Sequence, residues 1–167
     1  MNDSPIESPS VTEPMYDLIE LFYFAYRDFV GDADRFLDAF GFGRAHHRVL
    51  HFVSRHPGLT IAALLEILKI TKQSLNRVLK ELIAEGFVEV RAGEADRRHR
   101  QLFVTLEGDR LAHNLALVQT RRFAQAISAL GTSGRQSALC FLTAVIDPAE
   151  REKILDLISI QPPRQPF

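Results

Sequence analysis

A chain of 167 residues, 46% hydrophobic and 25% charged, has the length and composition of one soluble globular domain, with or without a small oligomerisation element. No apolar run reaches 18 residues, which excludes a transmembrane helix, and a single cysteine, Cys140, excludes an internal disulfide framework. Lys and Arg (20) nearly balance Asp and Glu (21), so the chain is not a generally basic protein.

The charge is unevenly placed. Residues 1–40 hold 9 acidic and 2 basic side chains, whereas residues 41–167 hold 18 basic and 12 acidic ones. Such asymmetry suggests that one region faces a polyanion; a merely solvated acidic helix is the alternative. The acidic, Ser- and Pro-containing start "MNDSPIESPSVTEP" is the opposite of a secretory signal. Residues 1–13 are expected to be a disordered tail of a cytoplasmic protein.

Next, "EPMYDLIELFYFAYRDFV" carries apolar residues at 15, 18, 19, 22, 25, 26, 29 and 30, a helical stripe. Leu21, Tyr23 and Phe24 lie off that stripe. One face cannot bury so many large side chains on a small monomer, so the segment 14–43 is expected to dimerise. "RAHHRVLHFVSRHPGLT" reads as a second helix with Ala45, Val49, Leu50 and Val53 inward. Pro57-Gly58 ends it, and a cationic His56 would suit its C-terminus. "TIAALLEILKI" is a short third helix presenting Leu64, Leu65 and Leu68.

Thr71 is the expected N-cap of a fourth helix, "TKQSLNRVLKELIAEG". Leu75, Val78, Leu79, Leu82 and Ile83 follow the i, i+3, i+4, i+7, i+8 pattern, and Gly86 suits the position just past the helix end. The opposite face offers Thr71, Lys72, Gln73, Ser74, Asn76, Arg77 and Lys80, with no acid before Glu81. Amides and hydroxyls can reach base edges in a major groove, and cations can reach phosphates or guanine.

Two short strands, "FVEVRAG" and "RQLFVTL", flank "EADRRH". A hairpin with so long and basic a tip, following a helix-turn-helix, reads as a wing whose arginines enter a minor groove. Arg98 is the expected inserted residue and Asp96 its support; Arg97 and Arg100 are assigned to the backbone. "TLEGDRLAHNLALVQTRRFAQAISAL" is then long enough for about seven helical turns. "RQSALCFLTAVI" follows, and Asp147-Pro148-Ala149-Glu150 opens a final helix. The tail "QPPRQPF", residues 161–167, is expected to be flexible.

This order of elements, with "HPGLT", "ITKQSLNRVLKELIAEGFVEV" and "DRRHRQLFVTLEG", resembles the MarR family of winged-helix transcriptional regulators. The motifs cover roughly residues 44–110. The most telling part is Asp96-Arg97-Arg98, with Gly108 opening the next helix. The resemblance implies a mainly α fold with a small β-hairpin. A winged helix-turn-helix domain (44–108) would be flanked by N-terminal (14–43) and C-terminal (109–160) dimerisation helices. It implies a homodimer on palindromic double-stranded DNA, with half-sites about one helical turn apart, roughly 34–36 Å, and a repressor role. Family wings often carry a further Asp where this chain has Gly93, so a wing-anchoring contact is expected to be missing.

Other readings compete for particular residues. His46, His47, His51 and His56 crowd the second helix, and His47 and His51 are spaced to hold a metal. No Cys or carboxylate lies nearby in sequence, so ordinary histidines are favoured and no metal or cofactor is expected. Cys140, between Leu139 and Phe141, reads as a buried, inert thiol rather than a redox sensor. "GFGRAH" lacks the third glycine of a dinucleotide loop, and no catalytic motif is visible, so an enzyme is not expected. Phe22, Tyr23, Tyr26, His47 and His51 are a candidate pocket for a small-molecule effector, or else dimer core. A winged-helix protein-interaction module that does not touch DNA is the alternative function.

Overall fold

The computed structural model describes residues 13–93 and 100–159. Helix α1 (Tyr16–Leu37) leads through a 3-10 turn (Asp38–Phe40) into α2 (Arg44–Arg55). There follow β1 (Leu59–Thr60), α3 (Ile61–Leu68), α4 (Lys72–Ala84), β2 (Val88–Ala92) and β3 (Arg100–Val104). The long α5 (Leu106–Ala129), α6 (Gly134–Val145) and α7 (Pro148–Ser159) complete the described chain. The expected tails, 1–13 and 161–167, lie outside it except for Glu13.

The core is one cluster in which α2, α3 and α4 close over the sheet and the first turns of α5. Leu50, Leu64, Leu75, Leu82, Leu102 and Leu115 are essentially inaccessible to solvent. Burying each such side chain contributes about 1.5–3 kcal/mol. From α1, only Ala33 and Leu37 join this core, and Val30 is buried as well.

The small sheet has three strands rather than the two of a hairpin, in the order β1-β3-β2, all antiparallel. Leu59 pairs with Leu102 and Thr60 with Gln101. Gly58, at φ +86°, turns the chain so that its N–H donates to the Leu102 carbonyl at 2.9 Å. A two-residue strand is too short to have a readable period, which is why β1 was not anticipated.

Some inward assignments are corrected. Ala45 is exposed and His47 takes the inward place beside Val49, Leu50 and Val53, because the buried arc of α2 is centred roughly a third of a turn from Ala45. Ile83 is 41% exposed, since it stands at the edge of α4 over an open groove rather than beneath the helix. Leu65 is only half-buried. His56 is not a cationic cap: burial, then the neighbouring Arg55, pushes its pKa down, and its ring stacks on Phe52. Cys140 is exposed rather than buried, because the apolar face of α6 that carries it is uncovered in the single chain.

Thr105 and Gly108 set where α5 begins. The Thr105 hydroxyl accepts from the Gly108 N–H at 3.1 Å and donates to the Gly86 carbonyl at 2.6 Å. A Cβ on Gly108 would stand 1.9 Å from the Phe87 carbonyl oxygen. Glycine is therefore required where α5 crosses the entry to β2. This contact seats the wing against the helix that leaves the lobe.

Candidate nucleic-acid interface

The geometry of α4 is set at its start. Thr71 accepts from the Ser74 N–H at 3.2 Å, and its own hydroxyl donates to Ser74 Oγ at 2.9 Å. These two side chains thus serve the cap as well as the surface. Before them, Lys69 ends α3 in the left-handed region, at φ +51°. That one residue makes the sharp turn between the two helices.

Leu75, Val78, Leu79 and Leu82 hold α4 to the core, and this leaves Thr71, Lys72, Gln73, Ser74, Asn76, Arg77 and Lys80 all exposed. Elsewhere, Arg27, Arg35, Arg44, Arg91, Arg110 and Arg122 are each paired with a carboxylate. Lys72, Arg77 and Lys80 have no such partner among the described residues. Glu81, the nearest acid on α4, is turned away from them onto His46, at 2.6 Å.

The sheet places Arg100 beside this face. Strand alternation directs Arg100, Leu102 and Val90 toward α4 and Arg91 and Phe103 to the other side, where the Arg91 guanidinium lies 4.3 Å from the Phe103 ring centre. Arg100, Asn76 and Lys80 line one open groove of about 400 Å³ floored by Leu79, Ile83 and Val90. Asp96, Arg97 and Arg98 lie outside the described residues, and Gly93 is the last described residue before them.

A second cleft, of about 270 Å³, opens between α1, α2 and α5. It brings together Tyr26, His47 and His51 with Phe29, Arg48 and Gln119. Phe22 instead lines a larger apolar groove of about 590 Å³ with Phe123, Phe141 and Leu142. Tyr23 lines neither; it is exposed and meets Phe24 edge-on. The His47 and His51 rings are perpendicular, 6.4 Å apart. Burial lowers the pKa of His47 against the pull of Asp34. Burial, then His47, Arg55 and His56, pushes His51 down to about 4. Both rings are therefore neutral near pH 7. No group of three metal-ligating side chains occurs among the described residues.

Two bonds from α2 to the helix-turn-helix had no sequence signal. His46 Nδ1 accepts from the Gly43 N–H at 3.1 Å, so its Nε2 carries the proton donated to Glu81. Arg48 donates to the Leu68 carbonyl at 2.8 Å. Both join residues distant in sequence, and Gly43-x-x-His46 matches no familiar capping pair.

Known proteins share this arrangement. The sequence profile of the MarR family matches residues 40–99. The HTH-type transcriptional regulator PetP of Rhodobacter capsulatus is 47% identical over 133 residues, 80% of each chain. Among solved structures, a MepR–DNA complex from S. aureus has a TM-score of 0.64 at 19% identity, covering 80% of this chain and 98% of the other. The reduced form of MarR from E. coli has a TM-score of 0.62 at 19% identity, covering 81% and 98%. At such identity these two structures establish the fold. With PetP and the matched profile, they settle what kind of protein it is: the chain belongs to the MarR family of winged helix-turn-helix, DNA-binding transcriptional regulators, and is not an enzyme.

Proposed function

We propose that the protein works as a homodimeric, sequence-specific repressor in the cytoplasm, with α4 in the major groove and the wing in the adjacent minor groove. The observation that carries this reading is the open face of α4, where Lys72, Arg77 and Lys80, beside Gln73 and Asn76, have no carboxylate partner among the described residues. Unpaired cations on a protruding helix lower the cost of meeting a polyanion, because no internal ion pair has to be broken. Gln73 and Asn76 read base edges, while Lys72, Arg77 and Lys80 take phosphates or guanine, with Thr71 and Ser74 at the helix start. In the wing, Arg98 is inserted, Asp96 orients it, and Arg97 and Arg100 contact the backbone. That MepR, which shares the fold, was crystallised with DNA supports the same mode here.

The dimer is supported by the uncovered apolar side chains of α1, α6 and α7. Met15, Ile19, Leu21, Phe22, Phe141 and Ile158 are each about half exposed or more, a patch that a soluble monomer rarely carries. Segments 14–43 and 109–160 then form the dimerisation unit around the lobe 44–108. An effector entering the cleft at Tyr26, His47 and His51 relieves repression by favouring a conformation whose two α4 helices no longer match successive major grooves.

Selection of bound duplexes from a randomised pool by the purified protein tests this. The expected result is a two-fold symmetric site with half-sites about one turn apart. Within that site, Arg98→Ala weakens binding by about 1–3 kcal/mol, and Gln73→Ala relaxes preference at one position per half-site. Sequence-blind, salt-sensitive binding alone would instead favour a lobe that docks on protein partners.

A further inference from the structure

Glu81 is the only acid between Lys72 and Ala84, and it stands four residues after Arg77 and next to Lys80. Side chains four apart on a helix are neighbours, so a free Glu81 carboxylate would reach the Arg77 guanidinium. Local pairs of this kind form elsewhere in the chain: Arg110 takes Glu107, and Arg35 takes Asp32. Arg77 nevertheless has no carboxylate partner among the described residues. Glu81 is held instead by His46, whose Nε2 donates to Glu81 Oε2 at 2.6 Å and draws the carboxylate toward α2.

The His46 ring is fixed before it meets α4. Its Nδ1 accepts from the Gly43 N–H at 3.1 Å, which places the proton on Nε2. The ring stacks on Phe42, with centres 4.6 Å apart and planes at 14°. Phe42 in turn meets Phe87, between α4 and β2, edge-on at 5.4 Å. The His46 side chain is 12% exposed and that of Glu81 47%, so an enclosed, prealigned donor meets an open carboxylate. A hydrogen bond to an ionised acceptor is about twice as strong as a neutral one. An exposed ion pair along a helix is weak and screened by salt. The competition for Glu81 therefore goes to His46.

We propose that His46 is a positioning residue for DNA binding: it withholds Glu81 from Arg77 and so keeps Arg77 available to a phosphate. Without the ring, the carboxylate returns to Arg77. The guanidinium must then break an ion pair to meet DNA, and a negative charge is left beside the polyanion. The proposal rests on α4 being the DNA-contacting helix and adds a residue that lies outside the contact face.

Substitution can separate the two ring nitrogens. His46→Asn keeps an acceptor where Nδ1 stands and loses the donor to Glu81. His46→Gln keeps a donor where Nε2 stands and loses the acceptor for Gly43. Binding of the full-length protein to a short duplex of mixed sequence, measured over a range of salt, reads both. His46→Asn should weaken binding by about three- to tenfold and lower the slope of log K against log salt by about one for each α4 engaged. His46→Gln should rescue both quantities. Glu81→Gln combined with His46→Asn should restore them as well, because no acid is left to withhold. Arg77→Ala should weaken binding in the parent and have little further effect in His46→Asn. His46→Phe, which keeps the stack on Phe42 but neither nitrogen, replaces His46→Asn if that variant does not fold. A defect that persists when Glu81→Gln is added overturns the proposal, since the ring then acts through packing alone. So does parent-like binding by His46→Asn while Arg77→Ala binds weakly, and α4 then still stands on DNA. Parent-like binding by Arg77→Ala overturns the placement of α4 on DNA and the proposal with it.

Discussion

Helices α1 and α4 are both amphipathic, yet a single chain completes only one of them. On α4 every buried position is filled by its own lobe: Leu75 and Leu82 are inaccessible, and only the polar, basic face and the edge residue Ile83 look outward. On α1 the reverse holds. Its last turns are anchored by Ala33 and Leu37, but Leu21, Phe22 and Tyr23 stand more than half exposed. A helix whose outward face is charged ends a structure, whereas a helix whose outward face is apolar has an interface still to make. The lobe is thus a finished object mounted on an unfinished one.

The largest expected effect comes from charging the unfinished side. Phe22→Glu should leave the isolated chain folded, because the residue is already 52% exposed there. It should weaken self-association by about 3–5 kcal/mol, the cost of an unpaired carboxylate enclosed at an interface. Sedimentation at several concentrations would reveal the shift, and an unchanged association constant would show that α1 has no partner. Gly108→Ala strikes the finished side. With a Cβ placed 1.9 Å from the Phe87 carbonyl oxygen, α5 or β2 must move, and a loss of about 3 kcal/mol is expected in chemical denaturation. A loss below about 1 kcal/mol would mean that the α5–β2 crossing can relax.

These contrasts indicate what could be read from sequence. The pattern of α4, the Thr71 cap and the Gly86 exit were legible because they obey local rules of period and capping. The excess of apolar residues on α1 was legible as a surplus, without revealing which of them line which cleft. Tyr26 and Phe22 are four residues apart, yet Tyr26 reaches the His47–His51 cleft, whereas Phe22 faces only the groove toward α6. The choice depends on where α5 crosses α1, a tertiary fact. His47 was misplaced in burial for a related reason: a histidine reads as polar until its surroundings enclose it. The bonds from Arg48 to Leu68 and from His46 to Glu81 join distant residues and leave no periodic trace.

An effect of similar size should appear where the two regions meet, in the cleft. His51 titrates at about 4 in the folded chain against an ordinary 6.5, so the unfolded chain takes up its proton first as the pH falls. Stability should be level above about pH 6.5, fall as the pH drops from there toward 4, and level off below. The full loss from this group is about 3 kcal/mol. His47, lowered by the same burial, adds in the same direction. Denaturant midpoints measured across that window test this in the parent and in His51→Phe. The variant should lose most of the slope, and an unchanged slope would move the acid sensitivity elsewhere in the protein.

The smallest effect sits at the joint itself. Lys69 pairs with Glu150 at 3.5 Å, and Lys153 of α7 pairs with Glu66 of α3, so exposed ion pairs tie the last helix to the corner of the helix-turn-helix. Lys69 also holds a left-handed conformation, which costs a residue with a Cβ about 1–2 kcal/mol. Lys69→Gly removes that strain but raises the entropy lost on folding, by about 0.5–1 kcal/mol. It also deletes an exposed ion pair, worth at most about 0.5–1 kcal/mol in low salt and less when screened. The gains and losses nearly cancel in dilute buffer, so the net change should be close to zero there. It should rise to a stabilisation of about 0.5 kcal/mol in 1 M salt, where only the backbone terms remain. Denaturation of the variant at both ionic strengths separates the two contributions. A variant destabilised equally at both would mean that the lysine stem packs against the turn, making the corner part of the finished lobe and not a hinge to the helices that carry it.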